Sequence, residues 1–372
     1  MSSEEIADKE LKPMEMAGGA AAAPPRNNSK STDRTSIVAG VGRMSKRVTE
    51  IIQPKHRRKQ HHVRLRDGRR MNYIVDGPLD LELNPSKIKS SGLPVLIAFH
   101  GMYLSGESLV KTDQYRRNSS FEEKALVSMT TDTKNDDYVV VAINRAGYHG
   151  SSDVNIENYS YKEFALDVGE IADSLGIETF GVIGHSSGGP CALACAAILG
   201  PDRVKSFATL GGDPEYNHFD DIPYDCTMDC CIGKWLPRFL LVLLPCKRVA
   251  NGMRNDYIQE RLAYPFEVES IEQPGVVIAG KEDNLLPGNL TKRVNDRLPN
   301  SEYKVIPCLG HEDMLLDEPL DAACRTVVEL MDDKTEKSVD GKKSDLAIDK
   351  LIRKQQELED KSKNSTQEMS RE

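Results

Sequence analysis

Short, largely apolar runs alternate along this chain with stretches whose apolar residues recur every three or four positions. The runs include 93–99 (Leu-Pro-Val-Leu-Ile-Ala-Phe), 138–143 (Tyr-Val-Val-Val-Ala-Ile), 179–183 (Thr-Phe-Gly-Val-Ile) and 275–280, and 204–210 (Val-Lys-Ser-Phe-Ala-Thr-Leu) reads as a further strand. A run of this length without polar alternation predicts a strand buried on both faces, as in a parallel sheet covered by helices. A further strand is predicted at 303–307, and two strand-like runs, 62–66 and 70–75, flank Asp67-Gly68 as a hairpin. Between the runs, 121–129 has helical spacing, and 161–175 puts Phe164, Val168, Ile171 and Leu175 on one helix face. The small-residue stretch 190–199 predicts a helix, another starts near Pro287, and 314–331 forms the last helix of the domain. This rhythm predicts an α/β domain, a mostly parallel sheet with helices on both faces.

The rhythm fails between about 213 and 272, where Trp235, the apolar run 239–244 and several short helical patterns fall. An insertion at this point would lie over the strand ends as a helical cap. The run 239–244 is far too short to span a bilayer. It is read as a cap helix packed on the core, with peripheral membrane contact as the weaker alternative. Residues 1–59 lack sustained periodicity and read as a disordered extension; 60–331 form the domain; 332–372 are a charged tail. Within that tail, Leu346, Ile348, Leu351, Ile352 and Leu358 can share one face of a helix. An isolated helix so short is marginal, so a solvated tail is the default expectation.

Composition narrows the class. The 372 residues carry a net charge of −9, which predicts no general nucleic-acid affinity. The basic run 55–59 reads as a solvated linker, with a nuclear-import patch as the alternative. The polar, acidic start of the chain is not a secretory signal. The eight cysteines therefore read as free thiols in a reducing, cytoplasmic setting. Cys226, Cys230 and Cys231 lack the partner pair that a zinc site requires, so neither metal nor cofactor is expected.

The candidate chemistry lies where strands end. Gly184-His185-Ser186-Ser187-Gly188-Gly189 sits between a predicted strand and a predicted helix. A serine there heads a tight turn and presents its hydroxyl beyond the sheet, with Gly184 and Gly188 permitting close backbone approach. The short pattern is common by itself. What strengthens it is order: Asp283 follows the run 275–280, and His311 follows 303–307. A hydroxyl needs a base to take its proton, and the base needs a carboxylate to orient it. Glu282 is the alternative acid. His185 is expected to pack or bond locally, and His149 to sit in a surface loop. His100-Gly101 and 144–152 also follow predicted strands, on the rim where α/β sites gather.

Residues 144–216 resemble the serine α/β-hydrolase superfamily. The matching words are Asn-Arg-Ala-Gly-Tyr-His-Gly-Ser, Gly-His-Ser-Ser-Gly-Gly-Pro-Cys-Ala-Leu-Ala-Cys and Pro-Asp-Arg-Val. His100-Gly101, Gly280-Lys-Glu-Asp283 with Leu286-Pro287, and Gly310-His311 carry the likeness across roughly 60–331. In one place the chain departs: the usual Asp-Arg-Pro-Gly-x-Gly loop reads Asn-Arg-Ala-Gly-Tyr-His-Gly, one residue longer. The resemblance implies an α/β-hydrolase fold and acyl transfer by Ser186, His311 and Asp283. It supplies the amides of Met102 and Ser187 as oxyanion donors, in a frame of His100, Gly101, Gly184, His185 and Gly188. The implied activity is cleavage of a small-molecule ester, or amide, through an acyl-enzyme. Alternatives are acyl transfer to another acceptor and a non-catalytic binding or scaffolding role. A serine at position 186 excludes the carboxylate-nucleophile chemistry of epoxide hydrolases and haloalkane dehalogenases on this fold.

Overall fold

Strands form where the apolar runs predict them. The computed structural model describes residues 58–112, 137–216, 251–332 and 345–369. Its strands are β1 (Gln60–Arg64), β2 (Arg70–Asp76), β3 (Val95–Phe99), β4 (Val139–Ile143), β5 (Phe180–His185), β6 (Val204–Leu210), β7 (Gly275–Gly280) and β8 (Ser301–Ile306). They make one eight-stranded sheet in the order β1-β2-β4-β3-β5-β6-β7-β8. β2 runs antiparallel to β1 and β4, and the pairings from β4 through β8 are parallel. The successive strands β4 and β5 lie on opposite sides of β3. Loops leaving β3 and β5 therefore meet at a crevice beyond the strand ends.

Alternation within the runs feeds two cores. Ile97, Phe99, Val141, Ile143 and Val182 point to one face, where α1 (Tyr161–Ser174) and α2 (Gly188–Arg203) bring Phe164, Val168, Ile171 and Cys195. Leu96, Ala98, Val140, Ala142 and Ile183 point to the other, under Leu320, Ala323 and Val327. A strand with both faces covered has no place for a polar alternate, which is why β3 and β4 read as unbroken apolar runs.

The cap region is described only at its borders, 213–216 and 251–272; Trp235, the run 239–244 and Cys226, Cys230 and Cys231 lie outside the described residues. So do the predicted helix 121–129 and residues 1–57. The chain re-enters the described structure as α3 (Asn251–Gln259), and α4 (Gly288–Asn295) follows Pro287. The predicted helix at 314–331 divides. A 3₁₀ turn, Glu312–Leu315, is followed by extended Leu316 (φ −63°, ψ 152°) and then α5 (Asp317–Met331). Asp317 and Glu318 favour a helix start there, and Pro319 is tolerated in a first turn.

The tail departs from the solvated default. It forms α6 (Ala347–Met369), whose first turn docks on α5. The N–H of Ala347 donates to Glu329 Oε2 at 2.9 Å and that of Ile348 to Thr326 Oγ1 at 3.0 Å. Leu346, Ile348 and Leu351 are buried in the second core, while Leu358 is exposed. Packing and borrowed caps thus supply what an isolated helix lacks. Ile348→Ala is expected to lower the unfolding free energy by about 2–4 kcal/mol. Leu358→Ala should change it by less than about 0.5 kcal/mol. Urea unfolding of the two variants checks the contrast.

Candidate active site

The turn after β5 is built by close backbone contacts. Ser186 has φ 53°, a left-handed conformation that a non-glycine residue adopts at a cost of about 1–3 kcal/mol. Three backbone bonds hold it there: its N–H donates to Leu210 O at 3.0 Å, and its carbonyl accepts from Gly189 at 2.7 Å and Asp213 at 3.2 Å. A Cβ on Gly184 would lie 2.0 Å from Gly188 O, and one on Gly188 would lie 2.3 Å from Phe99 O. Both positions exclude any side chain.

The β3 loop closes beside this turn. A Cβ on Gly101 would stand 2.8 Å from Ser186 Cβ. His100 is fully buried, and burial pushes its pKa well below the usual imidazole value. Its Nε2 accepts the Arg145 N–H at 3.1 Å, so Nδ1 carries the proton and donates to Gly101 O at 2.8 Å. Among the described residues, neither the Met102 nor the Ser187 N–H donates to a backbone or side-chain acceptor.

Asp283 leaves β7 and His311 leaves β8. His311 Nδ1 bonds Asp283 Oδ2 at 2.8 Å, both side chains being buried. Asp283 Oδ1 accepts the N–H groups of Leu285 (2.9 Å) and Leu286 (2.7 Å), which fixes the carboxylate. Glu282, the alternative acid, is exposed. The carboxylate places the His311 proton on Nδ1, so Nε2 keeps its lone pair. That nitrogen is buried and has no hydrogen-bond partner among the described residues, Ser186 Oγ included. Gly211 joins the parts: a Cβ there would lie 3.1 Å from His311 Nδ1 and 3.2 Å from Asp283 Oδ2, one residue beyond the Leu210 carbonyl that holds Ser186. Burial alone would lower the His311 pKa. The bond and charge of Asp283, with smaller help from Glu312 and Asp213, carry it above the ordinary 6.5.

His185 packs its ring 4.8 Å from that of His311 and donates from Nε2 to the His311 carbonyl at 3.1 Å. Burial, then the nearby His311, push its pKa down to about 3, so it acts as a neutral prop. His149 is exposed. Other groups at the site lie outside the expected set of site residues. Asp213 is buried behind Ser186, and burial raises its pKa to about 6. Arg145 is buried against Asp256 of α3, with bonds of 2.6 and 2.7 Å. Tyr148 donates to the same Asp256 carboxylate at 2.5 Å. The hydroxyls of Tyr103, beside Met102, and Tyr257 of α3 bond each other. The strand-end position of 144–152 and its place in the superfamily words are the signals for Arg145 and Tyr148.

Among the described residues, no group of three or more His, Cys, Asp or Glu side chains could hold a metal, and no helix is long and apolar enough to cross a membrane. The described cysteines, Cys191, Cys195, Cys308 and Cys324, are free thiols.

A family model described as the alpha/beta hydrolase fold matches residues 94–224. A protein of Caulobacter sp. (strain K31) that bears the name "Putative carbamate hydrolase RutD" is 28% identical over 170 residues. The match takes in 39% of this chain and 63% of that protein, so the chain spans less than two thirds of that curated relative. A fluoroacetate dehalogenase of Burkholderia sp is 36% identical over 90 residues, 23% of this chain and 29% of its own. The structure of an esterase from Exiguobacterium antarcticum aligns with a TM-score of 0.50 at 18% identity, over 72% of this chain and 98% of that one. At that identity the likeness concerns the fold.

Proposed function

We propose that this chain, which belongs to the α/β-hydrolase superfamily, is a serine hydrolase that cleaves carboxylic esters or related acyl compounds through an acyl-enzyme. The observation that carries the reading is His311, whose Nδ1 is held by Asp283 while Nε2 keeps a buried, unpaired lone pair beside the turn of Ser186. Ser186 Oγ attacks the substrate carbonyl carbon as His311 Nε2 takes its proton. The carbonyl oxygen becomes an oxyanion, received by the Met102 and Ser187 amides. The second of these opens α2, whose dipole favours negative charge. Loss of one such donor typically costs about 3 kcal/mol of transition-state stabilisation. His311 returns the proton to the leaving group, and water repeats the sequence to free the acid. A carbamate is attacked in the same way, which brings the substrate class of the Caulobacter relative within reach of this site. A hydroxyl at position 186 cannot form the alkyl ester of carboxylate-nucleophile dehalogenases.

A fluorophosphonate probe is expected to label the folded protein, with the adduct mapped to Ser186 by mass spectrometry. Folded protein that takes no label, or takes it elsewhere, ends the reading. The pH dependence adds a second check. Protonated His311 has no lone pair, so kcat/KM for a neutral ester should fall as pH drops through the His311 pKa, with the midpoint above 6.5. In Asp283→Asn the lifting charge is gone and burial remains. The His311 titration, followed by imidazole NMR, should then move downward.

A further inference from the structure

We propose that Arg145 is a positioning residue that holds both donors of the oxyanion hole, and that Asp256 of α3 holds Arg145. The inference rests on the hydrolase reading above and names what sets its geometry.

One residue reaches both halves of the site. On one side, the Arg145 side chain is 4% exposed and donates from Nη2 to Ser187 Oγ at 3.0 Å. Ser187 carries the second donor on its backbone. On the other side, the Arg145 N–H donates to His100 Nε2 at 3.1 Å. That bond fixes the tautomer, so His100 Nδ1–H holds the Gly101 carbonyl at 2.8 Å. Gly101 C=O and Met102 N–H belong to one planar peptide unit, so fixing the direction of the carbonyl fixes the direction of the amide. A rotation of that unit would turn the Met102 donor away and aim a carbonyl at the developing negative charge.

Arg145 is in turn clamped. Asp256 takes both its terminal nitrogens, at 2.6 and 2.7 Å, and the Tyr148 hydroxyl completes the carboxylate at 2.5 Å. A bidentate pair fixes the guanidinium plane as well as its place. The neighbouring Tyr257 bonds Tyr103, the residue after Met102. Of two adjacent residues of α3, Tyr257 therefore meets the Met102 loop at Tyr103, and Asp256 reaches the Ser187 turn through Arg145.

The test uses the full-length protein, p-nitrophenyl acetate as substrate and fluorophosphonate titration to count active sites. Asp256→Asn and Arg145→Lys are expected to lower kcat per titrated site by about 10²-fold, with KM within about twofold of wild type. Ser187→Ala keeps the backbone donor but loses its tether; a loss of about fivefold in kcat is expected. Inhibition by a trifluoromethyl ketone, whose adduct carries an oxyanion, should weaken in parallel. The double variant S187A/D256N should be no slower than D256N, because release of Arg145 already costs Ser187 its tether. A merely structural role would reduce the titrated fraction and leave kcat per site unchanged, which would overturn the proposal. Should the buried pair not survive substitution, Ser187→Ala decides it: an unchanged kcat and an unchanged ketone affinity refute the tether. Wild-type protein that takes no fluorophosphonate refutes the hydrolase reading itself. Labelled wild type with unaltered variants refutes this inference alone.

Discussion

Ser186→Ala is expected to lower kcat on an activated ester by about 10⁶-fold, His311→Ala by a similar factor, and Asp283→Asn by about 10⁴-fold. In the proposed mechanism the hydroxyl forms the covalent intermediate and the imidazole takes its proton, so loss of either stops the step. The double variant S186A/H311A should lose no more than either single one, because the two groups perform one step. The Asp283→Asn effect has a local cause. Oδ1 of Asp283 accepts two backbone N–H groups, from Leu285 and Leu286, and must remain an acceptor. In asparagine the carbonyl oxygen takes that place, and the NH₂ group turns toward His311 Nδ1. Nδ1 then has to accept, the imidazole proton moves to Nε2, and the base is lost with the geometry intact. Steady-state kinetics per mole of folded protein, with folding checked by circular dichroism, measures all four variants. Losses below about tenfold in folded Ser186→Ala or His311→Ala would remove both residues from the chemistry.

The difference between what the chain declares and what it conceals follows from the range of the forces. β3, β4 and β7 were legible because a strand covered on both faces must be apolar at each position, a local property. The turn at Ser186 was legible because close backbone approach demands glycine at 184 and 188. The loops bearing Asp283 and His311 were legible as the polar ends of apolar runs. Arg145 and Asp256 were not, since they stand 111 residues apart and a buried ion pair has no sequence period. Indeed α3 reads as a polar segment, Asn-Gly-Met-Arg-Asn-Asp-Tyr-Ile-Gln, yet Asn255, Asp256 and Gln259 are buried. The docking of α6 was hidden for the same reason: its N–H groups are capped by Thr326 and Glu329 of another helix.

Gly184→Ala should be among the most damaging substitutions in the domain, although it adds only a methyl group. The new Cβ would fall 2.0 Å from Gly188 O, 2.5 Å from Gly188 C and 2.8 Å from Gly189 Cα. All three are backbone atoms, so no side-chain rotation relieves the clash. The first turn of α2 must move away from β5. That turn carries the Ser187 donor and the carbonyl that accepts Gly189, so relief of the clash also opens the site. Gly92→Ala separates this from ordinary glycine strain, because Gly92 has φ 70° and no atom within 4 Å of its Cβ position. There the penalty is the left-handed backbone alone, about 1–2 kcal/mol. For Gly184→Ala a loss of about 4 kcal/mol or more is expected, which for a domain of this size lowers Tm by roughly 8 °C or more. Thermal melts of both variants, with fluorophosphonate labelling of whatever remains folded at 20 °C below each Tm, provide the measurement. Gly184→Ala should lose its labelling even there, whereas Gly92→Ala should keep it. A Gly184→Ala protein as stable and as readily labelled as Gly92→Ala would mean that the contact between β5 and α2 yields, and that the tight turn is not what holds Ser186 in place.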